Sequence, residues 1–375
     1  MLRRTGKCRK IIRIYCKIII IKEDINREMI KVKFGIVGTG MIARFHAEAL
    51  KHCENAELFI VYDKVPALAD KFASEYNCKK AHTLEELFSS GVEALTIGTP
   101  SGFHGSVAVA AANAGKHILC EKPLETTVEK TDEILRACEK NKVRIAAVFQ
   151  ARFSKAVEVI KKAVDDGRFG TPVLASASVR WYRTPEYYAS NSWRGTWALD
   201  GGGALMNQGI HTVDLILHFN GDVSEVTGHT ANILHKKIEV EDTVAAVVKF
   251  KNNSLGIIEA STACDPGFPR RVELSGTCGS VVLEDDRIVR WKFKEPLPGD
   301  DEILRECARG EGMHGGSGDP NAISWEGHRR QIFELADSIQ KGTPLKMPGS
   351  EGRRAVALIC AVYESAKNKK TVVME

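Results

Sequence analysis

Along DGGGALMNQGIHTVDLILH, residues 200–218, the polar side chains Asn207, His211, Asp214 and His218 stand four, three and four positions apart. On a helix that spacing aligns them in one stripe, with Leu205, Met206, Ile210, Val213 and Leu217 forming an apolar surface. An imidazole titrates near neutral pH, so His211 can take or return a proton. A carboxamide such as Asn207 can hold a hydroxyl group but accepts no proton. Glycines 201–203 precede the stripe and are expected to let its helix start close to a substrate.

The elements that would bring a reactant to this helix are upstream. KVKFGIVGTGMIARFHAEAL sets a buried-strand pattern, Val32 to Val37, ahead of Gly38-Thr39-Gly40-Met41-Ile42-Ala43 and then a helical pattern. G-x-G-x-x-A between strand and helix is a dinucleotide signature, because the glycines permit a tight turn and close diphosphate approach to a helix N-terminus. The next apolar run, AELFIVYD, ends in Asp63, 25 residues after Gly38. A carboxylate there accepts hydrogen bonds from ribose hydroxyls and repels a 2′-phosphate, which favours NAD and leaves NADP open.

Strand patterns at 93–99, 117–120 and 143–149 alternate with helical ones at 66–77, 84–89, 105–114 and 127–141, which specifies a parallel sheet covered on both faces. The strand ends TPSGFH (99–104) and CEKP (120–123) are expected at the cofactor, with Thr99, Pro100 and Ser101 lining the nicotinamide side and His104 beside them. From about 151 the pattern becomes one helix, 154–166, and then strands at 172–182, 223–234, 242–250, 255–263, 270–275, 279–284 and 287–293. Helices at 322–341 and 351–367 close the chain. The fold class expected is an α/β Rossmann-type doubly wound sheet, 31–150, followed by an α+β domain with a large, open, mainly antiparallel sheet, 151–375.

AGKHILCEKPL after GTPSGFHGSVAVAAAN resembles the glucose-fructose oxidoreductase and inositol dehydrogenase family (Gfo/Idh/MocA), and the resemblance continues through WRGTWALDGGGALMNQGIHTVDLI, SWEGHRRQIFELADSIQKGTP and EGRRAVALICAVYESAKNKKTVVM. It covers residues 31–375. It implies that Glu121-Lys122-Pro123 is the family hallmark, with Lys122 beside the nicotinamide and His211 completing an acid–base site. Oxidising a carbinol needs a group to take the hydroxyl proton and a cation to stabilise the developing alkoxide, roles that suit His211 and Lys122. Many members carry Asp four positions before that histidine; Asn207 stands there instead, so a relay through a carboxylate at that position is absent. Asn207 is left to bind a sugar hydroxyl or orient the imidazole, Asp214 to orient His211 or cap a neighbour, and His218 has no assigned task. No metal is expected, since hydride transfer needs none.

The variant resembles the branch acting on nucleotide sugars, such as 3-dehydrogenases of N-acetylated UDP-sugars. An inositol or free-sugar dehydrogenase, an NAD-dependent glycosidase and a non-catalytic NAD-sensing regulator are the alternatives. WYRTPEYYASNSWRGTW, 181–197, concentrates six Trp or Tyr in 17 residues and reads either as a stacking surface, Trp193 included, or as internal packing. Arg183 and Arg194 can reach a diphosphate or carboxylate.

The net charge of +5 is local: residues 1–30 carry nine Lys or Arg against three acids, which leaves the rest at about −1 and excludes a polyanion-binding surface by composition. Residues 1–30 read as a disordered or untranslated leader, because the apolar run Ile18–Ile21 is too short for a signal peptide core. No 18-residue apolar stretch predicts a membrane span. Ten dispersed cysteines without a Cys-x-x-Cys pair fit reduced thiols in a cytoplasmic protein. The partners expected are a sugar or nucleotide sugar and a second copy of the chain, as homodimer or homotetramer, with no nucleic acid and no membrane. The glycine-rich segment 309–320 reads as a mobile loop, a lid or an ordinary connection, and His314 within it has no role.

Overall fold

β1 (Val32–Val37) buries every residue except Lys33, the pattern of a strand covered on both faces. The computed structural model describes residues 31–312 and 324–375; the leader and, from the glycine-rich segment, residues 313–320 with His314 lie outside them. Among the described residues β1 is joined by β2 (Ala56–Tyr62), β3 (Lys79–Lys80), β4 (Ala94–Ile97), β5 (His117–Cys120) and β6 (Ile145–Ala147). Their order is β3-β2-β1-β4-β5-β6 and every pairing is parallel. This is the doubly wound dinucleotide topology, with its switch point between β1 and β4.

Helices Met41–Lys51, Pro66–Tyr76, Leu84–Ser89, His104–Asn113 and Val128–Lys140 connect the strands. The last starts where the Thr127 hydroxyl accepts the Lys130 N–H, a side-chain N-cap. A further helix, Glu326–Lys341, returns from the C-terminal region and buries Ile332, Leu335 and Ala336 with Phe34 and Ala47 of the first sheet's layer. Each large apolar side chain buried there stabilises by about 1.5–3 kcal/mol. The surface pair Arg329–Glu326 on the same helix contributes at most about 1 kcal/mol. Apolar docking therefore anchors this helix.

The second sheet holds β7 (Pro172–Arg180), β8 (Val223–Ala231), β9 (Thr243–Phe250), β10 (Leu255–Ser261), β11 (Arg271–Gly276), β12 (Gly279–Glu284), β13 (Arg287–Phe293) and β14 (Val372–Val373), ordered β13-β12-β11-β7-β10-β9-β8-β14. It is antiparallel except where β7 runs parallel to β10. In β9 the residues Val244, Ala246, Val248 and Phe250 are buried, and helices Ile210–Asn220 and Gly349–Asn368 cover that face. Leu174, Val247, Leu255 and Ile257 on the opposite face are exposed.

The sequence pattern misses β3, β14 and the helices Pro185–Ala189 and Asp300–Glu306, elements too short to carry periodicity. It also reads as one helix what is a π-helical turn, Ala204–Gly209, leading into Ile210–Asn220. Among the described residues no helix is long and apolar enough to cross a membrane.

Candidate active site

At the end of β1, Gly38 has φ +88°, and a Cβ there would lie 2.9 Å from the Gly98 carbonyl, so only glycine lets this turn touch the end of β4. Gly40 precedes helix Met41–Lys51 with no side-chain cap, and a Cβ on it would meet nothing within 4 Å. Uncapped N–H groups facing open space fit the diphosphate of a dinucleotide. Met41 is exposed and Ile42 half-buried at the same helix start. Asp63 braces the turn: its Oδ2 accepts from Thr39 N at 2.7 Å and Thr39 Oγ1 at 2.9 Å, and its Oδ1 accepts from Val65 N at 2.8 Å. Each oxygen keeps acceptor capacity for a ribose hydroxyl.

Beyond β4, half-buried Thr99 and Pro100 lead into a 3₁₀ turn, Ser101–Phe103, that docks on the second domain. Gly102 N donates to Leu199 O at 3.0 Å, and a Cβ at Gly102 would come within 2.3 Å of the Ala198 carbonyl. His104 departs from the expected cofactor contact. It is 1% exposed and its ring nitrogens lie 2.7 Å from Pro123 O and 2.8 Å from Thr99 O, so it clasps two strand ends and has no nitrogen left for a ligand.

Glu121 likewise turns inward. Its Oε1 lies 2.9 Å from His46 Nε2 and 3.4 Å from His328 Nε2, while Oε2 accepts the Lys122 N–H at 3.2 Å. Burial pushes this carboxyl upward but is outweighed by His328 and His46, which hold it well below the usual range. The three side chains bring ligand atoms within 4.8 Å of one another. Glu121 and His46 are bonded directly, a buried pair with His328 packed beside it. The Lys122–Pro123 bond is cis.

Lys122 Nζ donates to the backbone carbonyl of Asn207 at 2.7 Å, joining the end of β5 to the polar stripe. Burial draws the Lys122 ammonium below its ordinary value, with Glu121 and Asp200 opposing. The stripe is held by Glu241: a Cβ on Gly203 would fall 1.8 Å from the Glu241 carbonyl, and the Glu241 carboxylate accepts from Gly203 N at 2.8 Å and Leu205 N at 2.9 Å. The Tyr363 hydroxyl donates to Glu241 at 3.0 Å and accepts from Met206 N at 3.2 Å. At Gly203 this close protein contact by itself requires glycine.

His211 packs edge-on against Phe149, centroids 5.4 Å apart. Burial, then the charges of Lys122 and Arg270, hold its imidazole well below the ordinary value, which keeps it neutral. Asp214 does not orient it; both carboxylate oxygens engage Arg152, at 2.8 and 2.6 Å. His218 is pushed down to about 3 by burial and then by Arg152, and stays neutral.

The aromatic segment divides. Trp181 and Tyr188 are buried, Tyr188 bonded to Thr262 at 2.8 Å, while Trp197 is 46% exposed. Tyr187 belongs to the site: its hydroxyl accepts from Arg194 Nη1 at 2.5 Å and Gln208 Nε2 at 2.9 Å, and the Arg194 guanidinium stacks 4.4 Å from its ring and 4.8 Å from that of Trp193. Gln208 Oε1 accepts from Arg183 Nη2 at 3.1 Å. Sequence reasoning missed Asp200, Gln208, Tyr187 and Arg270. Asp200 and Gln208 stand in the quoted segment, but nothing in the spacing separates them from ordinary polar residues.

The model of the NAD-binding Rossmann fold of the oxidoreductase family matches residues 32–149, and that of the GFO/IDH/MocA C-terminal domain matches 157–282. The WlbA dehydrogenase of Bordetella pertussis, solved with NADH and UDP-GlcNAcA, is 31% identical, with 92% of this chain and 98% of that one covered and a TM-score of 0.84. Inositol 2-dehydrogenase of Rhizobium meliloti is 27% identical over 91% of this chain and 98% of its own length. Myo-inositol 2-dehydrogenase of Thermotoga maritima is 25% identical over 92% and 99%. A dinucleotide turn built on Gly38 and Asp63, and a match to these dehydrogenases over nearly their full length, place this chain in the Gfo/Idh/MocA family of NAD(P)-dependent dehydrogenases.

Proposed function

We propose that this dehydrogenase transfers hydride between NAD and a ring hydroxyl of a nucleotide sugar, in the manner of a UDP-N-acetyl-sugar 3-dehydrogenase. The observation that carries the reading is the 2.7 Å contact of Lys122 Nζ with Asn207, one turn from His211. Gly38, Gly40, Met41, Ile42 and Asp63 hold the adenosine and diphosphate, and Thr99 and Pro100 line the nicotinamide side.

Bound nicotinamide supplies the acceptor for the hydride, which leaves the carbinol carbon with both electrons of its C–H bond. His211, neutral, takes the hydroxyl proton at an imidazole nitrogen. Lys122 donates a hydrogen bond to the same oxygen and opposes the charge that develops on it. Asn207 orients the hydroxyl through its carboxamide. Arg183, Arg194 and Trp193 receive the diphosphate, base or carboxylate end of the substrate.

The B. pertussis enzyme solved with a UDP-sugar supports this reading, and the inositol dehydrogenases support the second, a cyclitol substrate. Purified protein is incubated with NAD and separate panels of UDP-sugars, free sugars and inositols, and reduced nicotinamide is followed by absorbance. Turnover with a UDP-N-acetyl-sugar is expected; turnover confined to inositols overturns the nucleotide-sugar reading, and none with any panel overturns both. The exposed apolar face of the second sheet supports a dimer or tetramer, for which light scattering on a sizing column is the check.

A further inference from the structure

The network around Lys122 contains a carboxylate with no part in the reaction described so far. Asp200 is 1% exposed. Its Oδ1 accepts from the Asn207 carboxamide Nδ2 at 2.5 Å and its Oδ2 from Gly195 N at 2.9 Å. On the other side of the carboxamide, Asn207 Oδ1 accepts from Gln208 Nε2 at 2.8 Å. The amide is thus held from both ends. A flip would set its oxygen against the Asp200 carboxylate and its NH2 against that of Gln208, replacing two hydrogen bonds by two repulsions. The residue fixed in this way receives Lys122 Nζ on its backbone carbonyl.

We propose that Asp200 supplies the carboxylate that Asn207 cannot, as a positioning residue that locks the Asn207 carboxamide toward substrate and sustains the positive charge on Lys122. It acts through these neighbours and touches no reacting atom. The proposal rests on the dehydrogenase reading of Lys122 and His211.

The charges facing the pair come from several segments of the chain. Lys122 feels Glu121 from its own strand end, Asp200, and the opposing Arg194 and Arg183, with His211 across the site. Asp200 faces Lys122, Arg194 and the Tyr188 phenol. Burial raises the Asp200 carboxyl, and the Gly195 and Asn207 hydrogen bonds with the Lys122 charge oppose that rise. An opposite charge nearby favours the charged form, so Asp200 pushes Lys122 upward. Taking the charge away should move Lys122 the other way.

The test compares wild type with Asp200→Asn, Asp200→Ser and the exchange variant Asp200→Asn/Asn207→Asp. Lys122 is titrated without substrate, by competitive acetylation with acetic anhydride across pH and mass spectrometry of its peptide. In Asp200→Asn the Lys122 midpoint should fall by about one unit or more, and kcat by about ten- to a hundredfold, with NADH affinity kept. The exchange variant, which keeps one carboxylate and one amide with donor and acceptor reversed, should recover the midpoint and most of kcat. An unmoved midpoint in folded Asp200→Asn, or no recovery in the exchange variant, overturns the proposal. If Asp200→Asn does not fold, Asp200→Ser decides, since it keeps an acceptor for Gly195 N and Asn207 Nδ2 without the charge: the Lys122 midpoint should fall, and an unchanged one overturns the idea. If wild type oxidises no sugar, the dehydrogenase reading fails, while the acetylation midpoints still judge Asp200.

Discussion

Asp214 and Arg152 form a two-point ion pair, with Nε to Oδ2 at 2.8 Å and Nη2 to Oδ1 at 2.6 Å, one turn below His211. Arg152 also reaches Glu351 at 2.8 Å, so the pair ties the helix of His211 to the turn Gln150–Phe153 and to helix Gly349–Asn368. Removing Asp214 leaves Arg152 with the partly exposed Glu351 as its remaining partner, so the loss is that of hydrogen bonds to a buried charged group, about 1–3 kcal/mol. Asp214→Ala should lose that much stability in urea unfolding while its folded fraction keeps kcat within a few-fold of wild type. A kcat loss as large as that of His211→Ala would instead assign Asp214 to orienting the imidazole.

Lys122→Ala removes the cation opposite His211. Deleting one stabilising donor of a developing oxyanion lowers kcat by about a hundred- to a thousandfold. NADH binding, followed by fluorescence, should hardly change, because the turn at Gly38 and Asp63 is intact. Lost NADH binding with this variant would make Lys122 a cofactor anchor.

Asp63→Ala removes the acceptor of Thr39 N and Thr39 Oγ1 together with the ribose partner. A hydrogen bond to a charged group is worth about 1.5–3 kcal/mol, or roughly ten- to a hundredfold in NAD affinity. The ratio of NADP to NAD use should rise as the repulsion of a 2′-phosphate disappears. Unchanged affinity for both cofactors would refute the assignment.

Burial pushes the Glu241 carboxyl up to about 7 from an ordinary 4.5, against the opposing hydrogen bonds of Leu205 N, Gly203 N and Tyr363. The folded chain then holds this proton more tightly than the unfolded one. The contribution of Glu241 to stability is therefore greatest below pH 4.5 and declines as pH rises to about 7. The decline is of order 3 kcal/mol. Glu241→Gln should flatten the fall in stability across that window, read by urea unfolding at a series of pH values. Parallel curves for the two proteins would show that Glu241 does not titrate there.

Periodicity and glycine placement made much of this molecule legible. The continuous apolar run of β1, the turn at Gly38 and Gly40 and the closing acid Asp63 are local features, set by what neighbouring residues permit in φ, ψ and burial. So are the alternating strands of the second sheet and the stripe on which His211 lies. The charged partnerships were not legible. Asp214 was read as a support for His211 because the two are three residues apart, yet a buried carboxylate takes the strongest cation within reach, and Arg152 is brought there only by folding. His104 carried the marks of a ligand residue until the Thr99 and Pro123 carbonyls closed on both its nitrogens. Asp200 carries no local signal of its partner, because only the π-helical turn sets Asn207 against it. The sequence alone determined the fold class and the dinucleotide turn, and it singled out Lys122 and His211 as candidates for the chemistry. The tertiary structure decided which buried charge faces which, since that choice depends on distances and desolvation between segments far apart in the chain.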